Sequence, residues 1–199
     1  MQRRIFLKQT GMVASTLALG GLAACGSTAT TTATKDTSDP GGKEAEIRAG
    51  ADSALNRLQS QYPDTKELLS KAVGVLVFPR VISAGLTIGG QFGDGVLKQK
   101  NAVVDYYRLI SASIGLQIGA QSKAMFFMFM TDDALENFRK SDGWSAGGDA
   151  SVAVLKAGAD GRIDLSAAKG PVLAFVLTNA GLMANLTLEG TKISPIKKK

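Results

Sequence analysis

Cysteine occurs once in the 199 residues, at Cys25, and histidine not at all. A lone thiol has no disulfide partner within its own chain, so the fold must stand on its core. Without imidazole, Ser-His and Cys-His nucleophile pairs and histidine metal sites are excluded. The glycine cluster Gly85, Gly89, Gly90, Gly93 and Gly95 fails as a phosphate loop, because Val96-Leu97 follows where Lys-Ser/Thr is needed. It also fails the dinucleotide spacing, since Lys98 stands at the third glycine's place. No Gly-x-Ser-x-Gly elbow occurs, and Asp160-Gly161 with Asp164 is too thin for a calcium loop and reads as a turn. No catalytic residue, metal site or cofactor is expected, and a Ser–Lys pair is nominated by nothing. What remains is cationic and hydrogen-bonding chemistry. Arg48, Arg57, Lys71, Arg80, Lys98, Lys100, Arg108 and Lys123 are candidate charge-assisted donors to phosphate. The alternative for each is a solvated surface charge.

Cys25 has a chemistry of its own. It ends Leu22-Ala23-Ala24-Cys25, and Arg3, Arg4, Phe6, Leu7 and Lys8 stand upstream of the short apolar stretch 11–24. A charged start, a stretch too short for the roughly 20 residues that span a bilayer, and small residues before the cysteine have the layout of an export signal. The arginine pair resembles a twin-arginine export signal and the Leu-Ala-Ala-Cys run a bacterial lipobox, in which the cysteine thiol is acylated. Residues 1–24 are therefore read as a signal peptide. Residues 25–42, with a Ser/Thr/Ala/Gly-rich stretch from Gly26, are read as a lipidated cysteine and flexible tether, and residues 43–199 as one folded domain. The expected location is the envelope of a bacterial cell, lipid-anchored and exported. Gly26 after the cysteine resembles proteins sorted to the outer membrane, facing periplasm or surface.

Loss of Arg3, Arg4 and Lys8 would lower the net charge from +6 to about +3. That is too mild for a nucleic-acid partner, and no Lys/Arg block is interleaved with aromatics. The basic tail 197–199 reads as a solvated end.

Helical spacing runs from Lys43 to Tyr62, with Ile47, Ala51, Ala54, Leu55, Leu58 and Tyr62 on one face. Its polar face mixes Glu46 and Asp52 with its arginines, which favours docking on its own domain over lying in a membrane. Pro63 stops it, and Asp64 is placed to cap a short second helix through Lys71. Strands are expected at 73–78 (ended by Pro79), 84–92, 111–121, 124–130, 150–157, 172–178 and 182–189. Thr131 caps a helix whose Leu135 and Phe138 are buried. The expected class is α+β: a mainly antiparallel, strongly curved or barrel-like sheet with an N-terminal helix and one or two further short helices.

Three of these strands share a feature. Thr87 and Gln91, then Ser111, Ser113, Gln117 and Gln121, then Asn185 alternate with apolar residues and so fall on a small, uncharged, hydrogen-bonding face. A solvated face would carry more Lys and Glu. These residues are expected to line a concave surface or barrel interior that holds a polar headgroup. The alternative is that the glycines among them serve only curvature and close packing.

The run 75–79 leading into Ala84-Gly85-Leu86-Thr87-Ile88-Gly89-Gly90-Gln91-Phe92-Gly93-Asp94-Gly95 resembles the opening of the SYLF (Ysc84-like) domain. Tyr106-Tyr107, the segment 111–121, Phe129-Met130-Thr131-Asp132-Asp133-Ala134-Leu135, Ser141-Asp142-Gly143-Trp144 and the segment 181–193 continue the resemblance in order, over about residues 63–196. It implies phospholipid binding, phosphoinositides in particular, with actin binding in some fungal members. The mixed charge of the 43–58 helix departs from the basic helix described for eukaryotic members. The reading is thus a non-catalytic lipoprotein that binds an anionic phospholipid membrane. An envelope scaffold or protein-interaction module, with an envelope or host protein as partner, is the alternative, and an exposed apolar patch of several hundred Å² would favour it.

Overall fold

The computed structural model describes residues 40–85, 88–114, 121–158, 162–183, 188 and 190–197, all within the compact unit Asp36–Lys199. The elements are α1 (Pro40–Gln61), α2 (Thr65–Lys71), β1 (Gly74–Gly85), β2 (Ile88–Gln99), β3 (Ala102–Ile114), β4 (Gln121–Phe129), α3 (Asp132–Lys140), β5 (Trp144–Ser145), β6 (Val152–Val154), a 3-10 turn (Leu165–Ala167), β7 (Val172–Thr178), β8 (Gly181–Leu182) and β9 (Thr191–Pro195). All nine strands join one sheet in the order β5-β9-β3-β2-β1-β4-β7-β6, with β8 beside β7. Among the described strand pairs only β6 with β7 is parallel. The α+β class is as expected: a strongly curled, mostly antiparallel half-barrel with α1 at the N-terminal end of the described region.

The curl can be read from side chains. Trp144, on the edge strand β5, lies 6.0 Å from the Phe127 ring and 6.4 Å from the Phe129 ring on β4. Four strands separate β5 from β4 in the sheet order, so their shared face must be concave. Leu76, Phe78, Leu97, Tyr107, Leu109, Met125 and Val176 fill this face, and α3 closes one end of it through Leu135 and Phe138. Two glycines of β2 permit the close packing. A Cβ on Gly95 would stand 2.4 Å from the Phe78 ring, and one on Gly93 would stand 2.7 Å from the Arg80 carbonyl oxygen. The convex face carries a second core, where Ile47, Ala51, Ala54 and Leu58 of α1 pack with Val77, Val96, Phe126 and Phe175. The 124–130 run is covered on both faces, as its unbroken apolar character predicts.

Several boundaries differ from expectation. Helix α1 is already formed at Pro40, the first described residue, ahead of the expected start at Lys43. Asp64 makes no capping bond; the Thr65 hydroxyl instead donates to the Tyr62 carbonyl at 2.6 Å. Pro79 does not end β1. The register shifts between Val77 and Ile82 against β2, and between Phe78 and Val81 against β4, leaving Pro79 in a bulge where no ladder donor is required. The single strand expected at 84–92 is the end of β1 and the start of β2, and the strand expected at 111–121 divides between β3 and β4. The 150–157 strand shrinks to Val152–Val154, and β9, unexpected, pairs with β3. Thr131 caps α3 as expected, accepting from the Ala134 amide at 3.3 Å. Among the described residues no helix is long and apolar enough to cross a membrane.

Candidate functional site

Alternation places a polar row across the concave face. On β3, Tyr107 and Leu109 face the concave core, so Ser111 does too. Register then carries the row sideways: Ser111 pairs with Thr191 on β9 and Gln91 on β2, and Gln91 pairs with Ser83 on β1. All four side chains are buried. The Thr191 hydroxyl donates to Ser111 Oγ at 3.1 Å, tying β9 to β3 at this level. The row lies opposite the end that α3 closes.

Lys123 stands one layer inside it. It alternates with Met125, Phe127 and Phe129, so it shares their concave face, and it pairs with Val81. Only 5% of its surface is exposed, and burial pushes its ammonium below the ordinary lysine range. Among the described residues no carboxylate or hydrogen-bond partner faces it. Burial of a cation is unfavourable, which makes Lys123 the candidate anion contact of this layer.

The reverse face at the same level is inverted in the opposite sense. Phe92 on β2 and Ile110 on β3 are register partners, and they are 51% and 59% exposed. Ile82 on β1, half-buried, pairs with Phe92. Over this stretch of sheet, serine, threonine, glutamine and lysine are inside, while phenylalanine and isoleucine are outside.

The other seven candidate cations do not converge there. Arg57 and Arg80 line a groove of about 440 Å³ beneath α1, together with Lys43, Glu46 and Asp94, and the Arg57 Nε is buried without a hydrogen-bond acceptor. Arg108 is held by Asp94 in two hydrogen bonds of 2.7 and 3.2 Å, and Lys43 meets the same carboxylate at 2.6 Å. Burial pushes the Asp94 carboxyl up, but Arg108 and Lys43 outweigh it and hold the group below its usual value. Lys71 pairs with Glu67 at 2.6 Å, and Lys98 pairs with Asp52. Lys71, Lys98 and Lys100 line a cleft of about 650 Å³, where Lys100 forms the β2–β3 turn with Asn101. Arg48 is exposed on α1. Among the described residues Lys71, Lys98 and Arg108 pair with acids, whereas no acid pairs with Lys123.

Of the expected polar-face residues, Gln91 and Ser111 are therefore brought together. Thr87, Gln117 and Asn185, the side chains of Ser113 and Gln121, and Cys25 with Arg3, Arg4, Phe6, Leu7 and Lys8 lie outside the described residues. Ser83 and Thr191 were not anticipated. Ser83 is hidden in sequence by the Pro79 bulge, which resets the alternation of β1. No described group of three or more Cys, Asp or Glu residues could hold a metal ion.

Residues 110–199 match the model of a family described as Ysc84, Las17-binding protein actin regulator. The match takes in Ser111, Lys123 and Thr191, and it starts later than the resemblance read over 63–196. No curated protein matches the chain.

Proposed function

We propose that the Asp36–Lys199 unit is a non-catalytic module that binds the headgroup of an anionic phospholipid at the polar end of its concave face. The observation that carries this is Lys123, a buried lysine with no acid paired to it among the described residues, one layer beneath Ser83, Gln91, Ser111 and Thr191. A phosphodiester brings one negative charge and several acceptor oxygens. One ammonium would answer the charge, and hydroxyl and amide donors would answer the oxygens. The Ysc84 match at residues 110–199 is consistent with a binding domain rather than an enzyme. Acylation of Cys25 after twin-arginine export, and anchoring in the cell envelope, belong to the same reading. They would hold the module close to its ligand.

The test is calorimetric titration of the Asp36–Lys199 unit, which holds both hydrophobic cores, with short-chain dihexanoyl phosphatidylglycerol below its micellar concentration. Dihexanoyl phosphatidylcholine serves as the zwitterionic control. One-to-one binding of the anionic lipid is expected, weakened at least tenfold by Lys123→Met and several-fold by Gln91→Leu. Equal binding of both lipids, or a Lys123→Met protein that binds as tightly as the parent, would overturn the proposal.

A further inference from the structure

We propose that the convex row of Phe92 and Ile110, flanked by Ile82, is the surface that this protein lays into the interface of an anionic bilayer. The inference rests on the headgroup reading only for the protein's orientation; the contact itself rests on the row.

Phe92 and Ile110 are exposed large apolar side chains, and they are directly paired across β2 and β3. Around them the surface is small and uncharged: Ala112 and Gly90, also register partners, are exposed, and a Cβ on Gly90 would meet nothing within 4 Å. Two half-exposed side chains offer on the order of 200 Å² of apolar surface, since a buried aromatic covers roughly 150–250 Å². A standard protein interface needs about 800 Å² per partner. The row is too small for that, but it is of the size that an interfacial insertion uses.

Charge selects the occupant. Lys192 pairs with Ile110 in register and is exposed, and Arg80 is exposed beside the groove that ends at Asp94. Arg108 and Lys43 share the carboxylate of Asp94, and the groove there holds Arg57, Arg80 and Lys43 against Glu46 and Asp94. Apolar tips with small uncharged neighbours on one side and Lys192, Arg80 and Arg108 on the other match an acyl boundary beneath phosphates. The first turn of α1 reaches Asp94 through Lys43, two residues along β2 from Phe92. An acylated Cys25 would be joined there by about 15 residues, a reach of at most roughly 50 Å. Because strand neighbours alternate faces, Phe92 adjoins Gln91 and Ile110 adjoins Ser111. The row therefore lies across the sheet from the polar end of the concave face.

The test uses the Asp36–Lys199 unit with vesicles of phosphatidylcholine and phosphatidylglycerol in equal parts, with and without brominated acyl chains. Trp144 is 2% exposed and supplies a constant background. In Phe92→Trp, emission is expected to shift to the blue on vesicle binding and to be quenched by the brominated chains, with no change in the parent protein. Phe92→Ser/Ile110→Ser is expected to bind vesicles at least tenfold more weakly while binding soluble dihexanoyl phosphatidylglycerol as the parent does. Failure of the headgroup site would instead appear as loss of soluble-lipid discrimination, with quenching of the Phe92→Trp variant intact. The inference is overturned if the parent ignores these vesicles, if the new tryptophan is neither shifted nor quenched on bound vesicles, or if the double variant binds them unimpaired. A parent dimer that the double variant dissolves would assign the row to a second copy and also overturn it.

Discussion

Lys123 is the residue on which the account turns, and its titration gives a signature independent of any ligand. Burial lowers its pKa in the folded protein, while the unfolded chain keeps the ordinary value near 10.5. Between those values the unfolded state binds more protons, so stability rises with pH through that window. Below it the buried charge penalises the fold in full. Lys123→Met should therefore stabilise the protein at neutral pH by about 1–3 kcal/mol and flatten the alkaline rise, as thermal melts between pH 7 and 10 would record. A side chain whose removal raises stability but abolishes binding is kept for function. Asp94 is the contrasting case, since Arg108 and Lys43 both pair with it. At this scale the sequence was informative about residue types: Lys123, Gln91 and Ser111 stood out as donors. Nothing in sequence said that they meet, because their distance depends on the register between strands far apart in the chain.

Elements were legible where one period ruled. The spacing of Ile47, Ala51, Ala54 and Leu58 identified the buried stripe of α1, and the unbroken run around Phe126 identified a strand covered on both faces. They were obscured where alternation ran on through a turn, as between β1 and β2, and where a bulge reset it at Pro79. Lys100 shows how a turn can pass for a binding residue. It joins β2 to β3 with Asn101, and both have positive φ, 48° and 66°. Residue pairs with such backbones favour asparagine and glycine over a long side chain. Lys100→Asn is expected to stabilise by about 0.5–1 kcal/mol in denaturant unfolding. It should leave lipid binding unchanged, whereas a loss of binding would return Lys100 to the site.

Across the whole molecule, the two faces of the sheet obey ordinary burial everywhere but at one end. Near α3 the concave face is aromatic and the convex face is covered by α1. At the far end, donors turn inward and Phe92 and Ile110 turn outward. Local rules broken on both faces at one place are the ground on which the site is proposed there. Composition could exclude histidine chemistry, but it could not show this inversion. Alternation assigns residues to two faces without saying which is inside; the curl of the sheet decides that, and the curl is set by contacts such as Trp144 with Phe127.

The most direct measurement is amide chemical-shift mapping of the Asp36–Lys199 unit during titration with dihexanoyl phosphatidylglycerol. Shifts concentrated at Val81, Ser83, Gln91, Ser111, Lys123 and Thr191, and absent with Lys123→Met, are the predicted result. Shifts gathered instead around Lys71, Lys98 and Lys100, or a spectrum that the lipid leaves unmoved, would contradict the account.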